Sequence, residues 1–199
     1  MFRTTKLAVV AAAALAVCSV SAGAQSYSEG FKFLKAVKER AGNTVEGILA
    51  GSGARLVNTK DMTSGESALH IVARDRDLTW LRFLLSKGAR ADIQNKDGDT
   101  PLIIATQLGW EEGAAALIGA GAKVDAFNSR GETPLILAVH KRNIPMIRQL
   151  LSRGADPKRA DRIAGYSALD YAKRDDRSGA IVRLLESAQP AKPVAGPSR

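Results

Sequence analysis

Thr133-Pro134-Leu135-Ile136-Leu137-Ala138 decides the reading of this chain, because it recurs. Thr100-Pro101-Leu102-Ile103-Ile104-Ala105 lies 33 residues earlier, and Ser67-Ala68-Leu69-His70-Ile71-Val72 lies 33 before that. Ser167-Ala168-Leu169-Asp170 follows Thr133 by 34. A second marker keeps the same step: Gly88-Ala89, Gly121-Ala122 and Gly154-Ala155, each shortly after a Leu-Leu or Leu-Ile pair. Two markers in one register define an internal repeat.

A 33-residue period carrying Thr-Pro-Leu resembles the ankyrin repeat. The resemblance implies an all-α repeat solenoid, a stack of about five helix-turn-helix units joined by β-hairpin loops. The units fall at about 31–60, 61–98, 99–131, 132–164 and 165–186, within a repeat domain of residues 31–186. The first is degenerate and the last is polar, as terminal repeats with one solvent-facing side are expected to be. In the second unit the apolar pattern predicts helices over Ala68–Arg74 and Leu78–Ser86, with Trp80 as a core filler. Pro101 and Pro145 stand in first helical turns, where a missing N–H has no partner to lose. Gly109, and Arg142 with Asn143, mark turns between helices.

Ahead of the repeats, Arg3 and Lys6 precede an apolar run from Leu7 to Val17, and Ala22-Gly23-Ala24 has small residues where a signal peptidase reads. This is a secretory pattern over residues 1–24, and it predicts a periplasmic or secreted protein beginning at Gln25. Residues 25–30 read as a flexible lead. Cys18 follows Leu15-Ala16-Val17, whose valine is bulky for a lipidation site, and it would leave with the signal. The mature chain then has no cysteine, and 27 Lys and Arg face 20 Asp and Glu, a net charge of +7. No integral membrane segment is expected after cleavage. The basic residues form no arm or stripe, so nucleic acid is not an expected partner. Residues 187–199, with Pro190, Pro193 and Pro197, read as a disordered Ala/Pro-rich tail.

Catalytic chemistry finds no foothold. The chain lacks a G-x-S-x-G elbow and an H-E-x-x-H motif, and Gly51-Ser52-Gly53-Ala54 is a helix-end turn without the lysine of a phosphate cradle. Asp161, Asp170, Asp175 and Asp176 lie near loops or helix ends, where exposed carboxylates are ordinary. His70 and His140 are two units apart, too far to share a metal, so no metal or cofactor is expected. By the resemblance, His70 and Ser67 tie the loop to the helix start. Ile103, Ile136 and Asp170 replace that histidine, which predicts weaker pinning in their units.

The remaining reading is a non-enzymatic module that binds a protein partner on a concave face, as a monomer. The resemblance places recognition on the first helices and the loop tips. The matching positions are Arg74, Asp75, Gln107, Leu108, His140 and Lys141 on the helices, Trp110 at a turn, and Phe127, Arg130 and Arg162 on the tips. Trp110 either presents its ring or tucks against its neighbours. Phe127 either anchors a partner or braces the next loop. An alternative comes from exported bacterial ankyrin-like proteins: support of a periplasmic enzyme of the catalase type, although no residue here is placed to ligate haem.

Overall fold

A computed structural model describes residues 29–52, 55–175 and 179–188. The expected signal segment, residues 25–28 of the expected lead and residues 189–199 of the expected tail lie outside them, while residues 29–30 belong to the first helix and Ser187 to the last. Helix α1 (29–38) is followed by α2 (Gly42–Ser52), a 3-10 turn (Leu56–Asn58), α3 (Ala68–Arg74), α4 (Leu78–Ser86), α5 (Pro101–Gln107) and α6 (Glu111–Gly119). Helices α7 (Pro134–His140), α8 (Ile144–Ser152), α9 (Ala168–Asp175) and α10 (Ala180–Ser187) complete the order. Helices α3 and α4 occupy the spans that the apolar pattern predicts.

None of these helices could stand alone. Seven residues in α3, α5 and α7 make barely two turns, below the length at which an isolated helix persists in water. Packing supplies the difference. Helices α3, α5, α7 and α9 touch in succession as one row, and α4, α6, α8 and α10 as a second row behind it. Between the rows Leu69, Leu81, Leu84, Leu102, Leu117, Leu135, Met146, Ile147 and Leu150 are fully buried.

The helix starts explain the recurring box. Thr100 Oγ1 accepts the Ile103 N–H at 3.3 Å, and Thr133 Oγ1 accepts the Ile136 N–H at 3.2 Å, each with proline in the next position. In the second unit the Ser67 N–H donates to His70 Nδ1 at 3.1 Å, which leaves the ring proton on Nε2. Nε2–H then donates to the Asp99 carbonyl of the next unit at 2.9 Å. Asp170 gives stronger pinning than its departure from histidine suggests: Ser67's counterpart Ser167 donates both its N–H (3.0 Å) and its hydroxyl (2.6 Å) to Oδ2.

His70 is fully buried, and burial pushes its pKa below the usual imidazole value. The folded protein therefore holds it neutral, while the unfolded chain takes up a proton at mildly acidic pH. His70 should support stability fully above about pH 6.5, with that support declining as pH falls below it. Urea midpoints measured from pH 7.5 to 5 should fall more for the native chain than for His70→Gln. Parallel profiles would contradict the assignment.

The β-hairpin expectation is corrected. No strand forms among the described residues, only the isolated bridges Lys60 with Ser67 and Ala160 with Ser167. Side-chain acceptors have taken the N–H groups that a ladder would use. Asn95 Oδ1 accepts from Asp97 N and Asp99 N, both at 2.9 Å. Asn128 Oδ1 accepts from Arg130 N at 3.0 Å and Glu132 N at 2.9 Å. Asp61 and Asp161 do the same in the flanking loops. Each loop is thus a compact turn rather than a ribbon. Successive loops abut through one backbone bond each, Lys96 N–H to Ser64 O (3.1 Å) and Ser129 N–H to Asp97 O (2.9 Å), with Lys96 Nζ to Met62 O and Gln94 Nε2 to Phe127 O beside them.

The turns between paired helices carry a second device. Arg40, Arg76 and Arg142 have φ of 57°, 54° and 53°, a left-handed conformation unusual for a side chain-bearing residue. Each reaches the end of the next first-row helix. Arg40 pairs with Asp75 and Asp77 at 2.8 Å, Arg76 donates to the Leu108 carbonyl, and Arg142 Nη1 donates to the Asp175 carbonyl at 3.2 Å. A cation there suits both the free carbonyls and the helix dipole. In the third unit Gly109 holds the same position (φ 64°), with no side chain to extend.

Candidate functional site

The positions read from sequence do not form one site. Arg74 is ion-paired with Glu66, and Asp75 is held by Arg40. Gln107 Nε2 donates to Asp99 Oδ2 at 3.5 Å, and burial raises the pKa of that carboxyl. The other Asp99 oxygen, Oδ1, is buried and has no hydrogen-bond partner among the described residues. Leu108 is half-buried against the core. Trp110 is 7% exposed, so it is a core residue and not a surface platform. Its ring occupies the space a side chain would need at Gly113, where an added Cβ would come within 2.0 Å.

Arg130 is exposed but bound to Glu132 Oε2 at 2.7 Å. Phe127 braces: the guanidiniums of Arg159 and Arg162 lie over its ring, 4.3 and 4.8 Å from the centroid. These residues line a groove of about 700 Å³ across three successive loops, with Asp92, Gln94, Lys123 and Asp125. Of the candidate binding positions named above, Phe127 and Arg162 line it.

A different cluster stands on α7 and α9, beside the loop that carries Arg159 and Arg162. His140, exposed at the end of α7, sits 4.5 Å from the ring of Tyr171 on α9. Tyr166, just before α9, packs edge-on against Tyr171 at 5.6 Å, and Arg174 lies 4.6 Å over Tyr166. Lys141 follows His140 and is likewise exposed. Tyr171 is fixed from below, since its hydroxyl donates to Asp161 Oδ2 at 2.6 Å. That bond is the main cause of a phenol pKa pushed up to about 12. Burial works against a charged Asp161, but the Tyr171 hydroxyl and three loop N–H groups outweigh it and hold its pKa below the usual carboxylate range. Asp161 is therefore a buried strut, not an ordinary exposed carboxylate.

Tyr166 beside this ring is exposed, and Ile163 in the Asp161 loop is 74% exposed. Neither tyrosine was legible as a site residue. Tyr166 stands where the earlier units carry Glu66, Asp99 and Glu132, and Tyr171 where they carry Ile71, Ile104 and Leu137, so the repeat offers no aromatic position to look for. The asparagines that shape the loops were more accessible, because Asn95 and Asn128 keep the 33-residue step.

Among the described residues no group of three or more His, Cys, Asp or Glu is placed to hold a metal ion. Among them, too, no helix is long and apolar enough to cross a membrane. The sequence matches the family described as Ankyrin repeats (3 copies) over residues 33–128, and Ankyrin repeat over residues 130–162. Together with the two rows of paired short helices, these matches show that the chain belongs to the ankyrin-repeat family, whose fold is a non-catalytic scaffold.

Proposed function

We propose that the protein is a non-enzymatic adaptor that binds a protein partner over the exposed face of its first helix row, anchored at His140, Tyr166 and Tyr171. The observation that carries the reading is the clamped aromatic cluster. Tyr171 is immobilised by Asp161, and it presents Tyr166 and His140 to solvent in fixed packing. Exposed aromatic and arginine side chains are the types that concentrate binding energy at interfaces. Prior immobilisation lowers the entropy lost on association. The basic, apolar and Ala-x-Ala order of residues 1–24 supports export, so the partner is sought in the cell envelope.

The test begins with capture of partners on the immobilised repeat domain from envelope extract, followed by titration of the purified partner. Tyr166→Ala with His140→Ala should weaken binding by about 2–4 kcal/mol, the range for losing anchor residues. Arg148→Ala on α8, in the second row, should leave affinity nearly unchanged. Equal affinity for native chain and double variant would place recognition elsewhere.

A further inference from the structure

The loop groove carries chemistry that the aromatic cluster does not share. Its acidic lining is already engaged: Asp92 Oδ1 accepts the Lys123 N–H at 2.7 Å, and Asp125 accepts the Asp156 N–H at 3.2 Å. Its arginines make no such bonds: Arg159 and Arg162 have no ion-pair or hydrogen-bond partner for their guanidiniums among the described residues, although Arg159 lies near enough to Asp125 to stabilise its charge. Both are held over Phe127, so their positions are fixed while the N–H donors at their edges stay available. The floor is fixed as well, since Gln94 Nε2 bridges the Gly98 and Phe127 carbonyls at 3.0 and 2.8 Å.

We propose that the groove framed by Arg159, Arg162 and Phe127 is a carboxylate-recognition site that takes an acidic peptide segment. Two guanidiniums offer planar forks matched to carboxylates, and bidentate pairing of this kind is among the stronger hydrogen-bonding arrangements. An open groove across three loops has room for several residues of extended chain. A nucleic-acid strand fits less well. The ring that could stack a base is already covered by the arginines.

The experiment uses a fluorescently labelled tetraglutamate peptide and the full repeat domain, read by anisotropy at physiological salt. The native chain should bind saturably. Arg159→Ala with Arg162→Ala should weaken binding about tenfold or more, and the two lysine replacements should recover only part of it, because they restore charge without the fork. A charge-matched control at α8 and its C-terminal cap, Arg148→Ala with Arg153→Ala, should stay within about twofold, as exposed charges remote from a site contribute little. Circular dichroism verifies that every variant is folded.

Absence of saturable binding would overturn the proposal, as would equal losses in the two alanine pairs, which would mean attraction to net charge alone. Tighter, Arg159-dependent binding of a short oligothymidylate would also overturn it, in favour of nucleic acid. The Tyr166→Ala and His140→Ala pair should leave tetraglutamate affinity unchanged, so this site and the aromatic cluster stand or fall separately.

Discussion

Leu135→Ala should lower the stability of the array by about 2–5 kcal/mol, the range for truncating a fully buried leucine. Leu135 has no exposed surface, and α7 lies between α5 and α9 in the first row with α8 behind it. Leu69 and Leu102 hold the same register position in the preceding units and are equally buried. Leu169 holds it in the last unit, where the stack ends, and there it is only half-buried. Leu169→Ala should therefore cost clearly less than Leu135→Ala. Urea unfolding of both variants measures the contrast. An unchanged midpoint for Leu135→Ala, or a greater loss at Leu169, would contradict this account of the core.

Gly131→Ala should cost about 2–4 kcal/mol, although it adds only a methyl group to a loop. Gly131 has φ of 77°, and an L-residue there is disfavoured by roughly 1–2 kcal/mol. The larger effect is contact. A Cβ would lie 2.4 Å from the backbone nitrogen of Arg162 in the next loop, so the two loops would have to separate. Forced overpacking of this kind typically costs about 1–3 kcal/mol. Gly165 is the comparison, because it has nearly the same φ (72°) but nothing within 4 Å of its Cβ position. Gly165→Ala should show the backbone cost alone. Equal losses at the two glycines, measured by thermal or urea unfolding, would mean that close approach of the loops contributes nothing.

Much of this architecture was legible because it repeats. The Ser/Thr caps, the prolines after them and the leucine register each recur at one step, and each has a local physical role. The loops were misread for a definite reason. Resemblance implied β-hairpins, whereas the N–H groups of Asp97, Asp99, Arg130 and Glu132 are claimed by the asparagine oxygens of Asn95 and Asn128. The candidate site was less legible. Trp110 looked like a turn residue, but Gly113 opens a space that draws its ring inside. Tyr171 matters through Asp161, ten residues earlier, and that bond depends on how the last loop folds back on α9. Periodicity cannot disclose a feature that occurs once.

Gly109 gives the array a mechanical direction. At the turns of the first, second and fourth units an arginine clasps the next unit, but between the third and fourth units the turn side has no such clasp among the described residues. On the opposite side the same seam is fastened, where Gln149 on α8 donates to the Glu111 carbonyl of α6 at 3.0 Å. A joint secured along one edge and free along the other is a hinge line. A load that spreads α5 from α7 along the turn side meets no arginine clasp among the described residues, whereas the same load at the neighbouring joints meets Arg76 or Arg142. The loops on either side of the hinge are those that bring Phe127 under Arg159 and Arg162, so bending there changes the width of the groove they form.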